Sequence, residues 1–256
     1  MAAERGRRAA ENDLRPLAVV TGASAGIGEA IARRLAAEGF RLLLGARREA
    51  EVHRIGRELG GRAMVLDVSD EASVAAFCAE AVGVRVLINN AGGARGVDPV
   101  AEADSAEWRW MWEVNVLGLM QVTRALLPAL ERSAQGHIVN ISSTAGLEVY
   151  EGGAGYTAAK HAVHAISQTL RLELSGRPIR VTEVSPGMVQ TEFSLNRYGG
   201  DRDRAAAVYR GVTPLTAEDV ADVVAFAVTR PAHVNLDQIV MRPVQQATAY
   251  KVTRRS

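Results

Sequence analysis

The sequence has a single cysteine, no long apolar run and almost no net charge. One cysteine, Cys78, among 256 residues excludes an internal disulfide framework and points to a reducing compartment, the cytoplasm. In Val74-Ala75-Ala76-Phe77-Cys78 it reads as a small buried apolar residue, with no cation nearby to activate the thiol. No apolar stretch reaches the roughly 18 residues that cross a bilayer, so no membrane segment is expected. Arg5, Arg7 and Arg8 lead into Glu11-Asn12-Asp13 rather than an apolar segment. Residues 1–14 therefore read as a flexible tail and not as a secretory signal. The 30 basic and 29 acidic residues leave a charge of +1, which argues against a nucleic-acid partner, since that needs clustered positive charge. No Pro/Ser linker, repeat or low-complexity block divides the chain, and residues 15–250 read as one domain.

What is present is a globular composition, 48% hydrophobic and 23% charged, arranged as alternating strands and helices. Leu17-Ala18-Val19-Val20 is a continuous apolar run, the pattern of a strand covered on both faces. Ile27, Ile31 and Leu35 follow at helical spacing, and Gly39 is placed to end that helix. Further strands are expected at 41–45, 63–66, 84–88, 137–141, 179–184 and 238–241. Long helices are expected at about 105–131 and 155–175. Thr216-Ala217-Glu218-Asp219 is a helix start of the capping-box type. Such alternation implies an α/β fold, a doubly wound parallel sheet with helices on both faces and ligands at the carboxyl ends of its strands.

The first strand runs into Thr21-Gly22-Ala23-Ser24-Ala25-Gly26-Ile27-Gly28 and then a helix. Glycines let a backbone turn tightly and approach a ligand, and a helix N-terminus suits a pyrophosphate. Gly22, Ser24, Ala25, Gly26, Ile27 and Gly28 are therefore candidate cofactor contacts. The second strand ends in Gly45-Ala46-Arg47-Arg48. An acid there would bind the ribose 2′-OH of NAD, whereas arginine suits the 2′-phosphate of NADP. Asp67, with Val68 beside it, is placed either to accept from the adenine amino group or to cap the next helix, a role for which Ser69 and Asp70 compete. Asn89-Asn90-Ala91-Gly92-Gly93 ends the fourth strand, either as a simple turn or with Asn90, Ala91 and Gly92 at the cofactor ribose.

Tyr156 and Lys160 lie four apart on an expected helix and so share a face. A nearby ammonium stabilises a phenolate and makes tyrosine usable as an acid or base. Ser143 follows a strand, and Asn115 stands among apolar residues where its amide needs a partner.

Together, and in this order, 21–28, 89–92, Asn115, Ser143, Tyr156–Lys160 and Ser185-Pro186-Gly187 resemble the short-chain dehydrogenase/reductase family over nearly the whole chain. The resemblance implies a single Rossmann-like domain with a seven-stranded sheet, assembled as a homotetramer or dimer, that binds NADP(H). It implies Tyr156 as proton donor or acceptor and Ser143 as the hydrogen-bond partner of the substrate oxygen. Ser143, not Ser142, has the family's spacing of 13 to the tyrosine. Lys160 would hold the nicotinamide ribose and lower the tyrosine pKa, and Asn115 would support a water that relays protons to Lys160. Pro186, Gly187, Val189 and Thr191 resemble the loop over the nicotinamide. Many NADP-dependent members carry a basic residue where this chain has Ala25, so the NADP preference rests on Arg47 and Arg48.

The C-terminal half resembles the branch that oxidises serine and other 3-hydroxy acids, in Thr191-Glu192-Phe193-Ser194, Arg197-Tyr198 and Met241-Arg242-Pro243-Val244. The same pattern occurs in reductases of neutral aldehydes or ketones in secondary metabolism. A non-catalytic dinucleotide-binding regulator is the rival of another class. Residues 188–214 are expected to form a substrate lid. Arg197 there and Glu151 on the facing loop are candidate substrate contacts: Arg197 either clamps a substrate carboxylate or is merely solvated, and Glu148 or Glu151 facing the cleft would repel an anion. His161 and His164 lack the companions of a metal site, so no metal is expected. Of the three tryptophans, Trp108 and Trp112 are expected to pack together, with Trp110 facing solvent or a partner subunit.

Overall fold

The structure is a computed structural model that describes residues 14–255. Most of the expected N-terminal tail lies outside the described residues. Seven strands form one sheet: β1 (Leu17–Thr21), β2 (Arg41–Ala46), β3 (Arg62–Val65), β4 (Val84–Asn89), β5 (Gly136–Ile141), β6 (Ile179–Pro186) and β7 (Gln238–Met241). Their order is β3-β2-β1-β4-β5-β6-β7, and every neighbouring pair is parallel. The helices are α1 (Gly26–Ala37), α2 (Glu49–Glu58), α3 (Glu71–Cys78), α4 (Ser105–Trp112), α5 (Gly118–Arg132), α6 (Ala154–Glu173), α7 (Phe193–Arg197), α8 (Arg202–Tyr209) and α9 (Ala217–Val228).

The first strand shows why the sheet is covered twice. Ala18 and Val20 face one core, with Ile31 and Leu35 of α1, Val52 and Ile55 of α2 and Val220 and Val224 of α9. Leu17 and Val19 face the other, with Phe77 of α3 and Val122, Leu126 and Leu130 of α5. Side chains alternate along a strand, so an all-apolar strand feeds both layers. Gly39 (φ +85°) and Gly60 (φ +62°) lie in the left-handed region just past α1 and α2, where a side chain would be strained. Thr216 and Asp219 form both arms of a capping box at the start of α9. Burial pushes the Cys78 thiol up to about 11, which leaves it an inert packing residue.

Two expectations fail here. The long helix expected at 105–131 is interrupted by a π turn at Glu113–Leu117 between α4 and α5. Trp110 does not face outward. It is half-buried on the cleft side, one turn before Val114, and Arg95 stacks on its ring at 3.9 Å. Trp108 and Trp112 are the partly exposed pair. No helix among the described residues is long and apolar enough to cross a membrane.

The sheet order reverses between β1 and β4, because β2 and β3 extend one way and β5 to β7 the other. Loops diverge at that switch and open a crevice at the carboxyl ends of the strands.

Candidate active site

The crevice is a cleft of about 1120 Å³ that runs from Arg47 and Asp67 past the glycine turn to Tyr156 and the segment around Arg197. Gly22 (φ +66°) and Gly26 (φ +54°) adopt a conformation few side chains tolerate. A Cβ on Gly28 would lie 2.3 Å from the Gly22 carbonyl oxygen, and one on Gly92 would lie 2.5 Å from Asn115 Oδ1. These positions need glycine for closeness, and α1 begins at Gly26 with no side chain capping its N–H groups. The turn is held from behind. Asn90 Nδ2 donates to the Thr21 and Gly22 carbonyls at 3.0 and 3.1 Å, and Thr21 Oγ1 accepts from the Asn90 and Ala91 amides. Asn89, its neighbour, points the other way and donates to Thr123 and Asn140 in a buried polar row.

At the far end Arg47 and Arg48 differ. Arg48 donates to Ser24 and pairs with Glu192 at 2.9 Å. Arg47 is exposed beside Asp67 and lies 5.8 Å from the Trp110 ring. Asp67 does not cap α3, a role Asp70 fills. Burial pushes the Asp67 carboxyl up, but hydrogen bonds from Ser69 and the charge of Arg47 outweigh it and hold the group below its usual range. Leu66, Val68 and Val114 line this end of the cleft.

The end of β5 brings the candidate catalytic groups together. Tyr156, on the first turn of α6, is buried with its hydroxyl in hydrogen-bond contact with Ser143. Ser143 also accepts the Ala145 amide. Ser142 turns its buried hydroxyl away toward Gly146. Lys160 Nζ donates to the Ile141 carbonyl at 2.9 Å and sits 5.9 Å from the Tyr156 ring centroid. Burial and Tyr150 push the Tyr156 pKa above its ordinary value, while Ser143 and Arg197 pull it down. Two cations flank the ring at similar distance, Lys160 at 5.9 Å, as expected, and Arg197 at 5.8 Å, which the spacing of Tyr156 and Lys160 did not reveal.

Asn115 occupies the π turn, whose backbone bonds reach one residue further than in an α-helix. Its amide donates to the Met111 and Gly93 carbonyls at 2.7 and 2.9 Å, and its Oδ1 accepts the Gly93 amide. Pro186, Gly187, Val189 and Thr191 line the same cleft. A Cβ on Gly26 would meet the Thr191 side chain at 3.3 Å, so this loop closes on the glycine turn. Gln246 went unnoticed in the sequence. From a C-terminal segment without periodicity it reaches back to accept the Met188 amide at 2.8 Å.

At the end of the cleft beyond Tyr156, Arg197 donates to the Gly96 carbonyl, the Tyr150 hydroxyl and the Gly152 carbonyl. Its guanidinium lies 5.8 Å from the Tyr156 ring centroid, so it is not a solvated surface group. Glu148 turns away from the cleft, pairing with Arg242 at 2.7 Å and accepting the Ala249 amide. Glu151 is exposed and does not line the cleft, which removes it from the expected substrate contacts. His161 bonds the Thr157 carbonyl and His164 pairs with Glu183, two separate destinations.

A family model described as short chain dehydrogenase matches residues 16–199. An uncharacterised oxidoreductase of Mycobacterium tuberculosis is 58% identical over 91% of this chain and 93% of its own length. Sulfoacetaldehyde reductase 2 of Chromohalobacter salexigens is 42% identical, with 93% and 98% covered. The NADP-dependent 3-hydroxy acid dehydrogenase YdfG of Escherichia coli (strain K12) is 40% identical, with 91% and 97% covered. Among solved structures, the closed form of a serine dehydrogenase complexed with NADP+ superimposes with a TM-score of 0.89 at 38% identity, over 94% of this chain and all of that one.

Proposed function

The chain belongs to the short chain dehydrogenase family, and from that premise we propose that it is an NADP(H)-dependent oxidoreductase interconverting an alcohol and a carbonyl, with a small 3-hydroxy acid as the alcohol. The observation that carries this reading is one cleft holding Ser143, Tyr156 and Lys160 at the end of β5, with Arg197 beside the phenol and the glycine turn at its centre.

The residues present fit the cofactor. The cleft-lining glycine turn, drawn tight by the close approaches at Gly22, Gly28 and Gly92, and the uncapped start of α1 suit the pyrophosphate and its riboses. Leu66, Asp67, Val68 and Val114 would take the adenine, Arg47 the 2′-phosphate, Asn90, Ala91, Gly92 and Lys160 the riboses, and Pro186, Gly187, Val189 and Thr191 the nicotinamide. Bound there, NADP(H) supplies or accepts the hydride. The protein's share is the oxygen and its proton. Ser143 holds the substrate oxygen, and Tyr156 delivers or removes the proton there. Lys160 and Arg197 favour the phenolate left behind. Residues 188–214, with α7 and α8, act as the lid, anchored by Arg197. Exposed apolar side chains at Phe226, Val240 and Val244 on the β7 side suit a homo-oligomer.

Three relatives support an anionic substrate by their names alone: a 3-hydroxy acid, serine and sulfoacetaldehyde each carry a small anionic group. Neither Glu148 nor Glu151 faces the cleft to oppose one. One observation favours the second reading, a neutral aldehyde or ketone. Three donors of Arg197 are already held by protein oxygens. A panel of 3-hydroxy acids, aldehydes and ketones with NADP(H), followed at about 340 nm where the reduced nicotinamide absorbs, decides between them. Absence of turnover across the panel leaves the non-catalytic regulator.

Arg47→Ala is expected to weaken NADP binding about ten- to a hundredfold and to leave NAD binding nearly unchanged, since a charge-assisted hydrogen bond to phosphate is worth roughly 1.5–3 kcal/mol. Arg48→Ala should cost less, because Arg48 is already paired with Glu192. Titration of tryptophan fluorescence measures both. Equal losses for the two cofactors would make Arg47 a structural residue.

A further inference from the structure

Two cations share one aromatic ring in the cofactor half of the cleft. Trp110, on the second turn of α4, is half-buried and packs against the core groups that contain Val114 and Met111. Gly93 makes room for it, since a Cβ there would lie 3.0 Å from the indole Cη2. The Arg95 guanidinium sits 3.9 Å from the ring centroid and that of Arg47 5.8 Å, both within the reach of a cation–π contact. They come to the ring from either side of β1. Arg47 follows β2, and Arg95 follows β4 by way of the turn at 90–93.

Neither guanidinium is otherwise engaged. Both are exposed in the cleft, and among the described residues neither donates a hydrogen bond or forms an ion pair. Arg48, by contrast, gives its donors to Ser24 and Glu192. Asp67, the acid beside Arg47, accepts from Ser69. Asp98 and Glu107, which share a recess with Arg95, crowd Gly96 instead. Sharing one ring keeps the two guanidiniums within about 10 Å of each other, where like charges repel. An anion between them reverses that. A phosphate monoester carries a charge of about −1.5 to −2 near pH 7, which two guanidiniums match and one does not. Ser24 and Ala25, at the same end of the cleft, bring no charge. The pyrophosphate has a separate place at the uncapped start of α1.

We propose that Arg95 is a cofactor-binding residue: seated on Trp110, it closes on the 2′-phosphate of NADP from the side opposite Arg47, and Trp110 is the positioning residue that carries both cations to it. The proposal rests on the placement of Arg47 at the 2′-phosphate. An arginine that merely shielded the indole would act on stability and on every ligand of the cleft alike.

The test uses two fragments that isolate the adenosine end, 2′,5′-ADP with the monoester and 5′-AMP without it, each titrated by calorimetry into the full chain. Calorimetry needs no turnover and keeps its signal when a tryptophan is replaced. Arg95→Met leaves an unbranched side chain on the ring and removes the charge. It weakens 2′,5′-ADP about tenfold and leaves 5′-AMP within about twofold of wild type, the scale of one charge-assisted hydrogen bond to phosphate. Trp110→Leu also weakens 2′,5′-ADP selectively, and Trp110→Phe, which keeps an aromatic face for the cations, restores most of the difference. NADP and NAD show the same split in the same variants. An unchanged ratio of the two fragments in Arg95→Met overturns the proposal, whether both bind as before or both weaken alike. A ratio as low in Trp110→Phe as in Trp110→Leu overturns the positioning role of the ring. Should Trp110→Leu not fold, Arg95→Met decides alone, since Arg95 is an exposed loop residue. Arg47→Ala separates the premise. If it leaves the ratio unchanged, the 2′-phosphate lies elsewhere and the proposal falls with that reading, whereas a lowered ratio there beside an unchanged one in Arg95→Met sinks the proposal alone.

Discussion

Tyr156→Phe is expected to bind NADP(H) as tightly as the wild type and to turn over about 10² to 10⁴ times more slowly, the range that general acid–base catalysis typically contributes. The substitution removes one hydroxyl and nothing else that the fold depends on. The ring is buried among Ala94, Met111 and Ala145 and meets Phe193 with centroids 5.5 Å apart, contacts that phenylalanine keeps. Ser143, the partner of the lost hydroxyl, still accepts the Ala145 amide and lies 3.5 Å from the Pro186 carbonyl, so no buried group is left unpaired. Stability should therefore change little while chemistry collapses. Burial and Tyr150 keep the phenol protonated, ready to donate to the oxygen of a carbonyl being reduced, and Arg197 and Ser143 ease the loss of that proton. Steady-state rates at about 340 nm and fluorescence titration separate the two effects. A variant within a few-fold of wild-type activity would remove Tyr156 from the chemistry.

The strand ends were legible because the same residues serve two physical needs. Gly22, Gly26 and Gly28 are visible in a sequence because few other residues fit those conformations and approaches, and the fold places them at the crevice for that reason. Tyr156 and Lys160 were legible through helical spacing. What stayed hidden depends on register or on contacts across the chain. Asn89 and Asn90 are adjacent and chemically identical, yet strand alternation sends one into the buried row and the other to the glycine turn. The π turn that carries Asn115 leaves no periodic signature, because it shifts the helix by a single residue. Trp110 was misplaced for a related reason. Spacing shows which tryptophans share a face but not which face meets the cleft. Glu183 and His164 lie 19 apart on different elements, and only the packing of α6 on β6 joins them.

Arg197→Ala is expected to abolish the preference for a 3-hydroxy acid over its methyl ester. Guanidinium carries five N–H donors, and three of them, on Nε, Nη1 and Nη2, are held by Gly96, Tyr150 and Gly152. Five less three leaves two, one on each terminal nitrogen, a fork that the two oxygens of a carboxylate can span. The protein contacts that might seem to use the arginine up therefore aim it. They hold the guanidinium 5.8 Å from the Tyr156 ring, close enough to place a carboxylate while the hydroxyl carbon lies at the phenol. Charge-assisted hydrogen bonds of this kind are worth roughly 1.5–3 kcal/mol, so the wild type should favour the acid by about ten- to a hundredfold in kcat/KM. The informative quantity is the ratio of acid to ester, not the rate itself. Removing Arg197 also frees the lid from Gly96, Tyr150 and Gly152, and that loosening slows both substrates alike. A clamp makes the ratio collapse toward one; a lid anchor lowers both rates and leaves the ratio where it was. A wild type that prefers the ester overturns the hydroxy-acid reading at once and leaves a reductase of neutral aldehydes or ketones, in which Arg197 orders the lid and eases proton loss from Tyr156 without touching an anion.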